Sequence, residues 1–155
     1  MPVLARDSGF ARTIFPSMAT RKVTKKKSAR RPVAKQRDPL GRLREICLAL
    51  PEAHEAEAWG EPTFRVRNKL FAMHASASTH HGSGREAVWI AATHVSQDLV
   101  MRAKPDRYFS PPYVGPGGWI GAWLDGNPPW AEIAELLRDG YRLKAPKRLA
   151  ATLED

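Results

Sequence analysis

Arg65, Arg67 and Lys69, in the run Phe64-Arg-Val-Arg-Asn-Lys69, together with the rings of Tyr113 and Trp119, are the side chains here best suited to chemistry. Guanidinium and ammonium groups hold phosphate, and aromatic faces stack on exposed bases. The combination points to nucleic acid, with single strands favoured because stacking tolerates any base. Lys147 and Arg148 would extend such a strip or face the negative end of the preceding helix. The competing reading of Arg65, Arg67 and Lys69 is a solvated hairpin face opposite Phe64 and Val66; a turn at Asn68 would part the three. A denser basic group, Lys22, Lys25, Lys26, Lys27, Arg30 and Arg31, lies within Arg21–Lys35 and offers Coulombic attachment to DNA. A solubilising extension is the alternative there.

The remaining reactive side chains form no recognised catalytic or metal motif, so no catalytic residue, metal ligand set or cofactor is expected. Zinc requires three or four ligands at defined spacing, whereas His74, His80 and His81 have few acids near them in sequence. Adjacent histidines in extended chain point apart, so a polar hairpin loop is expected around them. His54 lies beside Glu55 and Glu57 without a Ser or Cys nucleophile in a known arrangement. Cys47 falls on the buried side of a helical pattern and reads as a small core residue in a reducing compartment. Gly115-Pro-Gly-Gly118 lacks the Gly-Lys-Ser/Thr ending of a phosphate loop and precedes a strand rather than a helix, which marks a structural turn.

Charge is divided sharply along the 155 residues. The net charge is +9, yet residues 1–37 hold eleven Lys and Arg with one Asp, a balance of +10, while residues 38–155 hold fourteen against fifteen Asp and Glu, a balance of −1. Dense like charge with few apolar residues predicts a disordered basic tail over 1–37 and a folded domain over 38–155. No apolar run reaches the ~20 residues of a membrane span, and no 7–15-residue apolar stretch follows the first basic residues, so a cytoplasmic protein is expected.

The elements that must position these groups can be read from periodicity. Asp38-Pro39 predicts a helix start, with Leu40, Leu43, Ile46, Cys47 and Leu50 on one stripe. Thr63–Arg67 and Lys69–Ala75 alternate as strands around a positive-φ turn at Asn68, and Ser76–Arg85 reads as a loop. Glu86–Ala92 is a buried strand and His94–Lys104 a helix ending before Pro105. Pro111 and Pro112, Gly115 to Gly118 and the alternating Trp119–Leu124 predict a hairpin-like wing. In that last strand Trp119, Gly121 and Trp123 share one face, with Ile120, Ala122 and Leu124 on the other. A final helix is predicted from Asn127-Pro128, with Trp130, Ile133, Leu137 and Tyr141 inward. The sum is an α+β domain, an antiparallel sheet with helices chiefly on one face.

Three blocks in order, Trp59-Gly-Glu-Pro-Thr-Phe-Arg-Val66, Pro105–Asp125 and Tyr141-Arg-Leu-Lys-Ala-Pro-Lys-Arg148, resemble the MmcQ/YjbR family over roughly residues 40–152. The resemblance implies a compact α+β domain related to the frataxin/CyaY fold. It also implies DNA binding through paired hairpins, a double wing. Pro116 stands where family members often carry a basic residue, which removes one phosphate contact from the wing tip. The expectation is a non-enzymatic DNA-binding protein of low sequence specificity. The alternative is a protein-interaction or small-ligand domain that uses the sheet face.

Overall fold

The computed structural model describes residues 38–153. The expected disordered tail, with Lys22, Lys25, Lys26, Lys27, Arg30 and Arg31, lies outside the described residues. Helix α1 (Pro39–Leu48) begins at the proline, as the Asp38-Pro39 pair predicts, and buries Leu43 and Cys47. Three strands follow as a meander: β1 (Ala53–Ala58), β2 (Glu61–Val66) and β3 (Lys69–Ala75). Their two-residue turns are Trp59-Gly60 (φ 55° and 77°) and Arg67-Asn68 (φ 50° and 67°). Both central residues are left-handed in each, the geometry that matches strand twist in a tight hairpin.

Strand β1 has no counterpart in the sequence expectation. Ala-His-Glu-Ala-Glu-Ala lacks the β-branched and aromatic residues that mark a strand, and pairing with β2 from Ala53↔Val66 to Ala58↔Glu61 makes it one. After the loop 76–86 come β4 (Ala87–Ile90), α2 (His94–Ala103), β5 (Tyr108–Phe109), β6 (Ile120–Trp123), α3 (Trp130–Lys144) and α4 (Lys147–Ala151). Helix α3 starts at Trp130 rather than at the Asn127-Pro128 signal. Pro129 disfavours helical backbone at Pro128 and delays entry. The short α4 was not expected; it carries Lys147 and Arg148.

The sheet order is β1-β2-β3-β4-β6-β5, and all neighbours are antiparallel. Helices cover one face, where Leu43, Ile133, Leu137 and Tyr141 pack on Phe64, Phe71, Val88 and Ile120. Helix α3 lies so close to the sheet that a Cβ on Gly140 would stand 2.7 Å from the Ala91 carbonyl oxygen. Tyr141 meets Phe71 edge-on at 5.6 Å and donates its hydroxyl to the Pro51 carbonyl at 2.7 Å, tying α3 to the start of β1. A second apolar cluster, Met73, Ala75, Ala87 and Trp89 with Phe109, Val114, Trp119 and Trp123, contains no helix residue. It occupies the open face. Among the described residues no helix is long and apolar enough to cross a membrane.

Candidate functional site

The open face is walled by two loops, and each is fixed by named contacts. Between β5 and β6, paired through Tyr108↔Ala122 and Phe109↔Gly121, residues 110–119 form the expected wing. Its glycine segment is a 3-10 turn (Gly115–Gly117) folded back on α2, not a simple strand reversal. His94 donates from Nε2 to the Pro116 carbonyl at 2.7 Å, and Gln97 donates from Nε2 to the Gly115 and Trp119 carbonyls at 3.0 and 2.6 Å. Gly118 (φ 99°) permits this approach, because a Cβ there would stand 2.8 Å from the His94 backbone nitrogen. The wing therefore lays Tyr113, Val114 and Trp119 over the sheet. Beside it Trp123 stacks on Phe109 at 4.1 Å. The Arg85 guanidinium sits over Trp123 at 4.0 Å and donates to both carboxylate oxygens of Asp125, holding that carboxyl below its usual range.

The second wall is the loop 76–86, anchored by Glu61, whose side chain is 1% exposed. Its carboxylate accepts from the Ser76 backbone N–H at 3.1 and 3.2 Å, from the Thr79 hydroxyl and from His81 Nδ1 at 3.1 Å. His74, 3% exposed, donates from Nε2 to Glu86 at 2.6 Å. Its Nδ1 lies 3.7 Å from Glu61, an ion-pair distance but too long for a hydrogen bond, and that atom has no hydrogen-bond partner. Two sequence expectations are corrected here. Acids sparse around these histidines in sequence are brought to them by the fold. The His80 and His81 rings lie 4.0 Å apart instead of diverging, because the chain there turns rather than extends. Among the described residues no group of three or more His, Cys, Asp or Glu is arranged to hold a metal ion.

Between these walls lies a cavity of about 580 Å³ lined by Trp59, Leu70, Met73, His80, His81, Trp89, Tyr113, Val114 and Trp119. Its lining includes two imidazoles and no Asp, Glu, Lys or Arg. Trp89 forms the floor and meets the His81 ring edge-on at 5.5 Å. At the rim, Trp59 and Tyr113 are 66% and 75% exposed, and both sit on left-handed backbone, φ 55° and 70°. Bulky residues seldom occupy that region, and such strain concentrates at functional sites.

The structure divides the residues expected to bind nucleic acid between two faces. Tyr113, Trp119 and Arg65 are on the open face. Arg65 is half-buried and donates from Nε to Thr63 Oγ1 at 3.1 Å. Arg67 occupies the turn and pairs with Glu52 at 2.7 Å on the helix side, which raises the guanidinium pKa and lowers that of the carboxyl. Lys69 is exposed just past the turn, so Asn68 does part the three cations. Lys147 and Arg148 are exposed on α4, in the helix layer. Trp119 is half-buried and packs against both clusters. Cys47 is buried in the helix-side core, where burial pushes its thiol pKa up and leaves a poor nucleophile far from the cavity face. His54 is exposed on the edge strand β1.

Sequence reasoning did not single out Trp89, Leu70, Met73 or Glu61 for this site. Trp89 was the most accessible of them, since strand alternation sets it opposite Val88 and Ile90. Leu70 and Met73 share a face only because a register shift between Phe64 and Arg65 interrupts the β2–β3 ladder.

The comparisons agree with this architecture. The sequence profile of the YjbR family matches residues 48–143, more than half of the chain. The chain belongs to the YjbR family. The YjbR segment runs from the end of α1 to the last turn of α3 and contains every residue lining the cavity. A crystal structure from Deinococcus radiodurans, of a protein with a DUF419 domain, resembles this YjbR chain with a TM-score of 0.56. The identity is 20%, over 65% of this chain and 74% of that one. At that identity the likeness speaks for the fold alone. No curated protein matches the chain.

Proposed function

We propose that this YjbR domain is a non-enzymatic binding module that accepts a small, largely apolar ligand on the open face of its sheet. The observation that carries the reading is the cavity of about 580 Å³ walled by aromatic and aliphatic side chains. Pockets for small molecules span about 300–1,000 Å³ and combine apolar walls with a few placed polar groups. Here those groups are His80 and His81, the latter held by Glu61. The rim rings of Trp59 and Tyr113 bury their exposed area when a ligand arrives. The single thiol is buried on the other side of the sheet. Binding is tested by titrating the neutral fluorophore N-phenyl-1-naphthylamine into the full chain. Energy transfer from tryptophan should saturate at one dye per chain, and Tyr113→Ala should weaken it. Absence of saturable transfer would refute the reading.

A second reading, nucleic-acid attachment, is favoured by the charge division. The segment 1–37 holds the excess positive charge, and the domain's own cations are largely paired, Arg44 with Glu55, Arg67 with Glu52, Arg85 with Asp125 and Lys104 with Glu132. In this reading Lys25, Lys26, Lys27, Arg30 and Arg31 neutralise phosphates without reading sequence. Each engaged phosphate adds about −0.9 to the slope of log affinity against log salt. Neutralising those five residues should flatten the slope; an unchanged slope would move the contacts into the domain.

A further inference from the structure

Arg65 stands apart from the other cations on this face. Its Nε donates to Thr63 Oγ1 at 3.1 Å, and it has no carboxylate partner among the described residues. That bond lays the guanidinium back along β2 toward Thr63, whose hydroxyl donates to the Ala56 carbonyl of β1; on β3 the partners of Thr63 and Arg65 are Met73 and Leu70, and on β1 they are Ala56 and His54. Met73 and Leu70 both line the cavity. A half-buried guanidinium, its terminal nitrogens without a partner among the described residues, therefore stands one strand away from two cavity-lining residues and in register with them. The acids of β1 do not quench it, since Glu55 and Glu57 pair with Phe64 and Pro62 on the opposite face of the sheet and Glu55 is bound to Arg44. Glu61, also on β2, is taken up by Ser76, Thr79 and His81.

We propose that the ligand of this cavity is a planar aromatic anion, its ring system held among Trp59, Trp89, Tyr113 and Trp119 and its negative group by Arg65. Four aromatic walls favour a flat ligand, because ring systems gain most from offset and edge-to-face contact. The guanidinium fork supplies two parallel donors to a carboxylate, sulfonate or phosphate oxygen pair, which neither imidazole offers. The inference rests on the cavity reading above and adds the charge of the ligand to it.

Two dyes with one ring system separate the two claims. N-Phenyl-1-naphthylamine is neutral, and 8-anilinonaphthalene-1-sulfonate adds one sulfonate to the same frame. Both are titrated into the full chain at physiological salt, read by energy transfer from tryptophan, with each dye displacing the other. The sulfonate should bind about ten- to a hundredfold more tightly, the range expected of one charge-assisted hydrogen-bonded pair. Arg65→Met should remove that advantage and leave the neutral dye unchanged. Arg65→Lys should keep part of it, and Lys69→Met, which removes an exposed cation nearby, should keep all of it. A thermal melt confirms folding of each variant, and the neutral dye reports an intact cavity. Equal affinity of the two dyes, or an advantage that survives Arg65→Met, overturns the anion assignment while leaving the cavity reading standing. Failure of both dyes to bind overturns the cavity reading and the assignment with it.

Discussion

Removing the Glu61 carboxylate should collapse one wall of the cavity at a measurable cost in stability. In Glu61→Ala the Thr79 hydroxyl re-pairs with the Ser76 carbonyl, which it already reaches at 3.1 Å. The Ser76 N–H and His81 Nδ1–H are stranded. Hydrogen bonds to a charged group are worth about 1.5–3 kcal/mol each, so two stranded donors, partly relieved by water, cost about 3–4 kcal/mol. For a domain of roughly 115 residues, a kcal/mol corresponds to about 4 °C in Tm, so the melt should fall by about 12–16 °C. Glu61→Gln keeps one acceptor, and its new N–H₂ faces the lone pair of His74 Nδ1, which has no partner in the parent. It should lose about half as much. Circular dichroism melts and urea titrations of the three proteins decide the matter. An alanine variant within about 1 kcal/mol of the parent, or a glutamine variant as damaged as alanine, would refute the anchoring role.

Three further outcomes are expected. Tyr113→Gly should raise stability by about 0.5–1 kcal/mol, because relief of left-handed strain exceeds the added freedom of the unfolded chain, while dye affinity falls about fivefold; a melt and a titration on one sample check both. Tyr108 donates its hydroxyl to Glu132, and burial first, then that bond, raises the phenol pKa, while the bond lowers that of Glu132. The phenol's contribution is whole below about pH 10 and is lost as pH rises above it, and the carboxylate's is present above about pH 4.3 and lost on acidification. Tyr108→Phe should therefore flatten both limbs of a Tm-against-pH curve. Gly140→Ala should destabilise by about 1–3 kcal/mol in chemical denaturation despite alanine's better helix propensity, because the added Cβ meets a backbone oxygen at 2.7 Å that cannot move aside.

Much of the architecture was legible in the sequence. The stripe Leu43–Cys47, the turn at Asn68, the buried strand at Val88 and Ile90 and the two faces of Ile120–Trp123 follow from spacing alone, because periodicity records which side meets the core. Strand β1 was hidden because its polar, alanine-rich residues are held by pairing rather than by their own preference. The cavity was half legible. Tyr113 and Trp119 stood out as candidate stacking rings, but their partners Trp59, Leu70 and Trp89 come from distant segments. Glu61, 13 residues from His74, has no local signature, since its role exists only once the 76–86 loop closes over it. Arg65 could be named from sequence; that it would part from Arg67 across the sheet depended on the turn.

The five tryptophans allow the most direct test of the cavity, because each indole N–H gives a separate signal in a proton–nitrogen correlation spectrum. Trp59, Trp89 and Trp119 line the cavity, Trp123 stacks beside it on Phe109, and Trp130 packs on the helix side. Single tryptophan-to-phenylalanine variants assign the signals. Titration with N-phenyl-1-naphthylamine should shift the indoles of Trp59, Trp89 and Trp119 together along one binding curve and leave Trp130 unmoved. Shifts centred on Trp130, or no saturable shift at the three cavity indoles, would contradict a ligand site on the open face.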